Sequence, residues 1–299
     1  MPALIPPRLG LVSSAEEPVT SAGSGPPAPF SGGAAELLAD ADRPGGWLLL
    51  LDRIRQSYVD LDDPTYLDFE YVQGFADILG ALPEGPLAVT HVGGGACTFA
   101  RYVAATRPGS AQIVLEPDAA LTALVRERLP FDRGARIRIR PLGGREGVSA
   151  LADASADVLV LDAFLGGRVP AELTAMEFFA DAARVLRPDG VLLANVADGP
   201  PGTFSRRLGA AVTRALPDAL ALADPAVLKR RRFGNIVIAA ARAGLPVAAV
   251  SAAAARAMFP RRVVAGTGFR SWVGSAAPLT DTDPMRSPAP PDEIWRVGG

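Results

Sequence analysis

Leu87-Ala88-Val89-Thr90-His91-Val92-Gly93-Gly94-Gly95 opens a stretch that closes, after a helical interval, on Ile113-Val114-Leu115-Glu116-Pro117-Asp118. The first six residues read as an apolar strand. A strand that runs into a glycine turn and then opens a helix brings bare backbone close to any ligand held at its carboxyl end. Glu116 ends the next strand at the spacing, about 20 residues on, where such folds hold ribose hydroxyls. A carboxylate suits that task because it accepts hydrogen bonds from two neighbouring hydroxyls. Gly93, Gly94, Gly95 and Glu116 are therefore expected to form a nucleoside site. Thr98 stands where a dinucleotide fingerprint needs its third glycine, so a nucleoside without a pyrophosphate, of the S-adenosylmethionine type, is the better fit.

The surrounding pattern sets the fold class. Strands are expected at about 87–92, 111–116, 135–140, 157–162 and 190–196, with helices at about 98–106, 118–129, 145–152 and 172–186. Repeated strand-then-helix units of this length build a parallel sheet covered on both faces. A helix over about 201–216 leads to strands at 219–222 and 235–241 with no long helix between them, which predicts an antiparallel hairpin at the end of the sheet. The fold class expected is α/β, a Rossmann-like, methyltransferase-type sheet.

Upstream, apolar runs at Trp47–Leu51 and Ile54–Val59 turn at Asp52 and Arg53, a small β-hairpin region before the main domain. Thr65–Leu82 has helical spacing and stops at Pro83. Residues 1–42, rich in Pro, Gly, Ser and Ala, are expected to be a disordered leader. The division expected is leader 1–42, β region 43–64, nucleoside-binding domain 65–244 and C-terminal extension 245–299. The extension holds an Ala-rich helix over 245–259, a short strand within 263–273, and a Pro-rich tail lying over the surface.

Composition narrows the function classes. The chain has 299 residues, a formal net charge of -2 and a 49% hydrophobic fraction, a balance that does not point to nucleic acid or an anionic membrane. No apolar run reaches the eighteen or so residues of a membrane span. The single cysteine, Cys97, cannot form an internal disulfide, which fits a cytoplasmic location. Cys97 and the single histidine, His91, read as packing residues, and no metal site is expected. The run Lys229-Arg230-Arg231-Arg232 reads as a solvated guard of a strand edge. Asp162 ends the fourth strand and should face the same crevice as Gly95 and Glu116, where a carboxylate accepts a proton or holds an amine.

Leu51 to Gln56, Tyr66 to Tyr71, His91 to Gly95, Leu115 to Asp118, Leu161-Asp162 and Leu186 to Gly190 follow one another in the order seen in spermidine synthases. Over roughly 46–242 the chain resembles the polyamine aminopropyltransferase family. The resemblance implies transfer of an aminopropyl group from decarboxylated S-adenosylmethionine to an amine, and a homodimer. It implies that Gln56 touches the nucleoside, Glu116 holds the ribose, Asp162 deprotonates the attacking amine and Tyr71 positions it. Three family acids are missing: Ala96, Gly143 and Leu165 stand in their places. Methyl transfer from S-adenosylmethionine to another acceptor, and a nucleoside-binding relative without catalysis, are the alternatives.

Overall fold

The computed structural model describes residues 28–30, 33–259 and 261–291. Among these, β1 (Ala28–Phe30), β2 (Gly33–Ala39), β3 (Gly46–Leu51) and β4 (Ile54–Asp60) form an antiparallel sheet in that order. Asp52 and Arg53 take φ of 50° and 64°, the left-handed pair that a two-residue hairpin needs to match strand twist. β2 corrects the leader expectation: residues 35–39 pair with β3, and Ala35 and Leu37 are buried against Leu49, Val59 and the helix that follows Glu116. Two apolar side chains in a seven-residue run were enough to be buried, and composition averaged over 42 residues hid them. The remaining part of that expectation, residues 1–27, 31 and 32, lies outside the described residues.

The main sheet contains β5 (Ala88–Val92), β6 (Ala111–Leu115), β7 (Arg136–Arg140), β8 (Ala156–Leu161), β9 (Leu186–Asp198), β10 (Asp218–Ala223), β11 (Gly234–Ala241) and β12 (Arg262–Ala265). Its order is β12-β10-β11-β9-β8-β5-β6-β7. Strands β5 to β9 run parallel, and β11, β10 and β12 complete the sheet antiparallel. The parallel strands wind outward in two directions from the β5–β8 pair, so a crevice opens at their carboxyl ends.

The helices are α1 (Glu70–Gly80), α2 (Thr98–Thr106), α3 (Ala119–Arg128), α4 (Gly144–Ser149), α5 (Met176–Val185), α6 (Thr203–Ala215), α7 (Pro225–Leu228), α8 (Val247–Arg256) and α9 (Thr267–Val273). α1, α2 and α8 bury one face of the sheet, and α4, α5, α6 and α9 the other. Phe75 and Ile78 of α1 are fully buried, each stabilising the fold by about 1.5–3 kcal/mol. α1 begins at Glu70 rather than Thr65 because Pro64 restricts Asp63, whose carboxylate accepts from Thr65 N and Oγ1 and holds a turn instead.

Further corrections concern the chain's second half. β9 starts at Leu186, and α5 starts at Met176 after a short 3₁₀ turn over Ala171–Leu173. The Lys229–Arg232 run precedes β11, which lies between β9 and β10, so it guards no edge; Arg232 pairs with Asp224 at 3.0 Å. The expected 245–299 extension adds β12 to the sheet, and its tail is partly core: Leu279 and Ser287 have no exposed surface. Met176 N donates to Leu279 O at 2.9 Å and Val169 N to Ser287 Oγ at 2.8 Å, which fastens the tail to the segment between β8 and α5.

Candidate active site

The glycine turn is crowded from two sides. Gly93 has φ of 98°, and a Cβ there would lie 2.2 Å from the Asp162 carbonyl oxygen. Gly94 faces Glu116, whose Oε2 accepts from Gly94 N at 2.9 Å. Ser57 Oγ accepts from Ala96 N at 3.2 Å, so β4 of the small sheet also touches the turn. Behind it, buried Arg101 donates to Ala96 O (3.0 Å), Leu129 O (2.5 Å) and Pro130 O (2.9 Å), tying the start of α2 to the end of α3.

The crevice above this turn is a cavity of about 270 Å³. Gln56, Tyr71, Gly93, Gly94, Gly95, Glu116 and Asp162, the residues singled out from sequence, all line it. Glu116 is fixed by two backbone donors, Gly94 N on Oε2 and Asp118 N (3.0 Å) on Oε1. Burial pushes its carboxyl above the ordinary range, against the pull of those hydrogen bonds. Each oxygen keeps lone-pair capacity for a further donor.

Asp162 is the second fixed carboxylate. Oδ2 accepts from the Tyr71 hydroxyl and Oδ1 from Asn195 Nδ2, both at 3.0 Å. Burial raises its carboxyl to about 6, and the two neutral donors offset part of that shift. The same pair pushes the Tyr71 hydroxyl well upward, by burial first and then by the adjacent carboxylate, so Tyr71 stays a donor. A carboxylate in this setting is charged near neutrality yet able to take a proton.

Sequence reasoning missed Asn195 and Ser57. Asn195 had a visible signal, one polar residue inside the apolar run Val191–Val196 of β9. His91 and Cys97 behave as packing residues. His91 Nε2 donates to Gln112 Oε1 at 2.9 Å, and burial lowers the imidazole to about 4. Cys97 is buried and its thiol is pushed up to about 12 by burial. Among the described residues, no three His, Cys, Asp or Glu side chains come together as metal ligands, and no helix is long and apolar enough to cross a membrane.

The sheet order, with an antiparallel end and a small antiparallel sheet in front, defines a methyltransferase-type α/β fold. No protein-family model matches the chain. A solved structure of a probable spermidine synthase from Corynebacterium glutamicum is 30% identical, superimposes with a TM-score of 0.79, and the match covers 87% of this chain and 96% of that one. The chain therefore belongs to the spermidine synthase-like proteins of the polyamine aminopropyltransferase family. Among curated relatives, a polyamine aminopropyltransferase from Chromobacterium violaceum is 29% identical over 142 residues, 47% of this chain and 53% of that protein. The chain thus spans about half the length of the curated relatives it matches. A spermidine synthase solved with the transition-state analogue AdoDATO shares the fold at 19% identity and a TM-score of 0.56, covering 76% of this chain and 75% of that one.

Proposed function

We infer that the chain is an aminopropyltransferase that uses decarboxylated S-adenosylmethionine and an amine acceptor. One observation carries the reading: Asp162, held by Tyr71 and Asn195, shares a single cavity with the glycine turn and Glu116. The analogue bound by the AdoDATO-complexed relative supports the same class of donor.

Glu116 accepts the ribose hydroxyls, Gln56 contacts the nucleoside, and the glycine turn lets the donor lie against backbone. Asp162 binds the incoming amine, and Tyr71 keeps the carboxylate aimed. The amine arrives as an ammonium and must lose a proton before it attacks. Asp162 takes that proton. The nitrogen lone pair then forms a bond to the donor carbon attached to sulfur, the carbon–sulfur bond breaks, and its electron pair neutralises the sulfonium to give methylthioadenosine. Holding nitrogen, carbon and sulfur in line is the larger part of the catalysis, because the sulfonium is already a good leaving group.

Methyl transfer is the second reading, favoured by one feature. Ala96, fully buried among apolar side chains, offers no carboxylate beside the turn to repel the methionine carboxylate of S-adenosylmethionine. Incubation with either donor and a mixture of amines separates the two readings. Methylthioadenosine release from the decarboxylated donor is the expected result, and S-adenosylhomocysteine release without it would replace aminopropyl by methyl transfer.

A further inference from the structure

Leu165 has 64% of its surface exposed, although it lines the cavity that holds Asp162. It is held there by construction. Leu165 N donates to Arg168 O at 2.8 Å and Arg168 N to Leu165 O at 3.2 Å, closing a two-residue hairpin. Gly166 and Gly167 supply its φ of 58° and 71°, the pair such a turn requires. The turn is backed by the tail and by the neighbouring hairpin: a Cβ on Gly167 would stand 2.9 Å from Pro290 and 3.7 Å from Ile54 Cδ1. A leucine fixed on a braced turn at the wall of the cavity, three residues past the candidate base, gives an apolar ligand a surface to cover.

Carboxylates line the cavity at three places. Among the described residues these are Glu116, Asp118, Asp162 and Glu172. Glu116 and Asp118 sit at the end of β6 and the start of α3. Glu172 lies on the 3₁₀ turn, where Arg145 of α4 donates to its carbonyl at 3.1 Å. Glu172 is exposed, and its neighbour Leu173 packs on the same core as Ala163 and Phe164, which lead from Asp162 to Leu165. Asp162 is the carboxylate that leads into the Leu165 turn, with Leu51 of β3 also at the cavity wall.

We propose that the acceptor carries one primary amine on an apolar body, an alkyl or aryl amine rather than a diamine, with Leu165 as a specificity-determining residue. This rests on the aminopropyl-transfer reading. The single ammonium meets Asp162, and the hydrocarbon covers Leu165. A second ammonium would lie beside leucine, and the exposed Glu172 carboxylate is a solvent-screened partner worth little, a poor exchange for its hydration.

The test compares n-hexylamine with putrescine, using decarboxylated S-adenosylmethionine and following methylthioadenosine release. Hexylamine should win in kcat/KM by on the order of a hundredfold. Leu165→Asp, at an exposed position, should narrow that preference by at least about tenfold through a gain for putrescine. Calorimetry of both amines with methylthioadenosine present gives a readout independent of turnover, and hexylamine should bind more tightly. Equal or better use of putrescine by the wild type would overturn the monoamine inference while leaving aminopropyl transfer in place. Binding of methylthioadenosine with no turnover of any amine would instead overturn the reading beneath it.

Discussion

The Tyr71 hydroxyl donates to Asp162 Oδ2 at 3.0 Å, joining the first turn of α1 to the end of β8 across 91 residues of sequence. It leaves the carboxylate with one oxygen held from each side, by Tyr71 and by Asn195. Tyr71→Phe removes one such bond and should lower kcat/KM about tenfold, the effect of one charge-assisted hydrogen bond. Circular dichroism should be unchanged, and an unaltered rate would remove Tyr71 from the site.

The acid limb of the rate profile should follow Asp162. Burial raises this carboxyl to about 6, so its ability to take a proton is lost as pH falls through that value. kcat/KM should drop about tenfold per unit below it. Stability runs the other way. The folded state binds the proton more tightly than the unfolded chain, whose carboxyl titrates near 3.8, so the stabilisation present below that value is lost as pH rises to about 6. Relative to Asp162→Asn, the wild type should therefore lose melting temperature between pH 4 and pH 7, and parallel curves would contradict the assignment.

Glu116→Gln replaces one accepting oxygen in the cavity with an amide that donates. Calorimetric affinity for methylthioadenosine should fall at least about tenfold. Retained affinity would place the ribose elsewhere.

Two glycines near the cavity should respond oppositely to alanine. At Gly93 the new methyl meets the Asp162 backbone at 2.2 Å and φ is 98°, so Gly93→Ala should cost roughly 2 kcal/mol or more and abolish nucleoside binding. At Gly143 a Cβ meets nothing within 4 Å. Gly143→Ala should keep both stability and binding, and thermal melts with titrations report the contrast directly.

Removing residues 1–41 deletes β2 and exposes the side of β3 to which it is paired. The loss of buried Ala35 and Leu37 alone should cost about 2 kcal/mol or more, seen as a melting temperature several degrees lower. An unchanged melt would show that β2 adds nothing to the fold.

The sequence by itself determined the parallel α/β core, the glycine turn, the strand-end positions of Glu116 and Asp162 and the Asp52–Arg53 hairpin, because each rests on local rules. Strand and helix periods, the glycine requirement of a tight turn and the two-residue hairpin are properties of neighbouring residues. What only the tertiary structure decided depends on contacts between distant segments. Asn195 meets Asp162 because β9 lies beside β8, and Ser57 reaches Ala96 because the small sheet docks on the turn. β2 is a strand because β3 offers it a partner, and the Pro-rich tail is buried at Leu279 and Ser287 because the segment after β8 needs a backbone partner there. A polar residue in a strand or a proline-rich tail has no local preference that names its partner. That choice is made by which surfaces the folded sheet leaves to be covered.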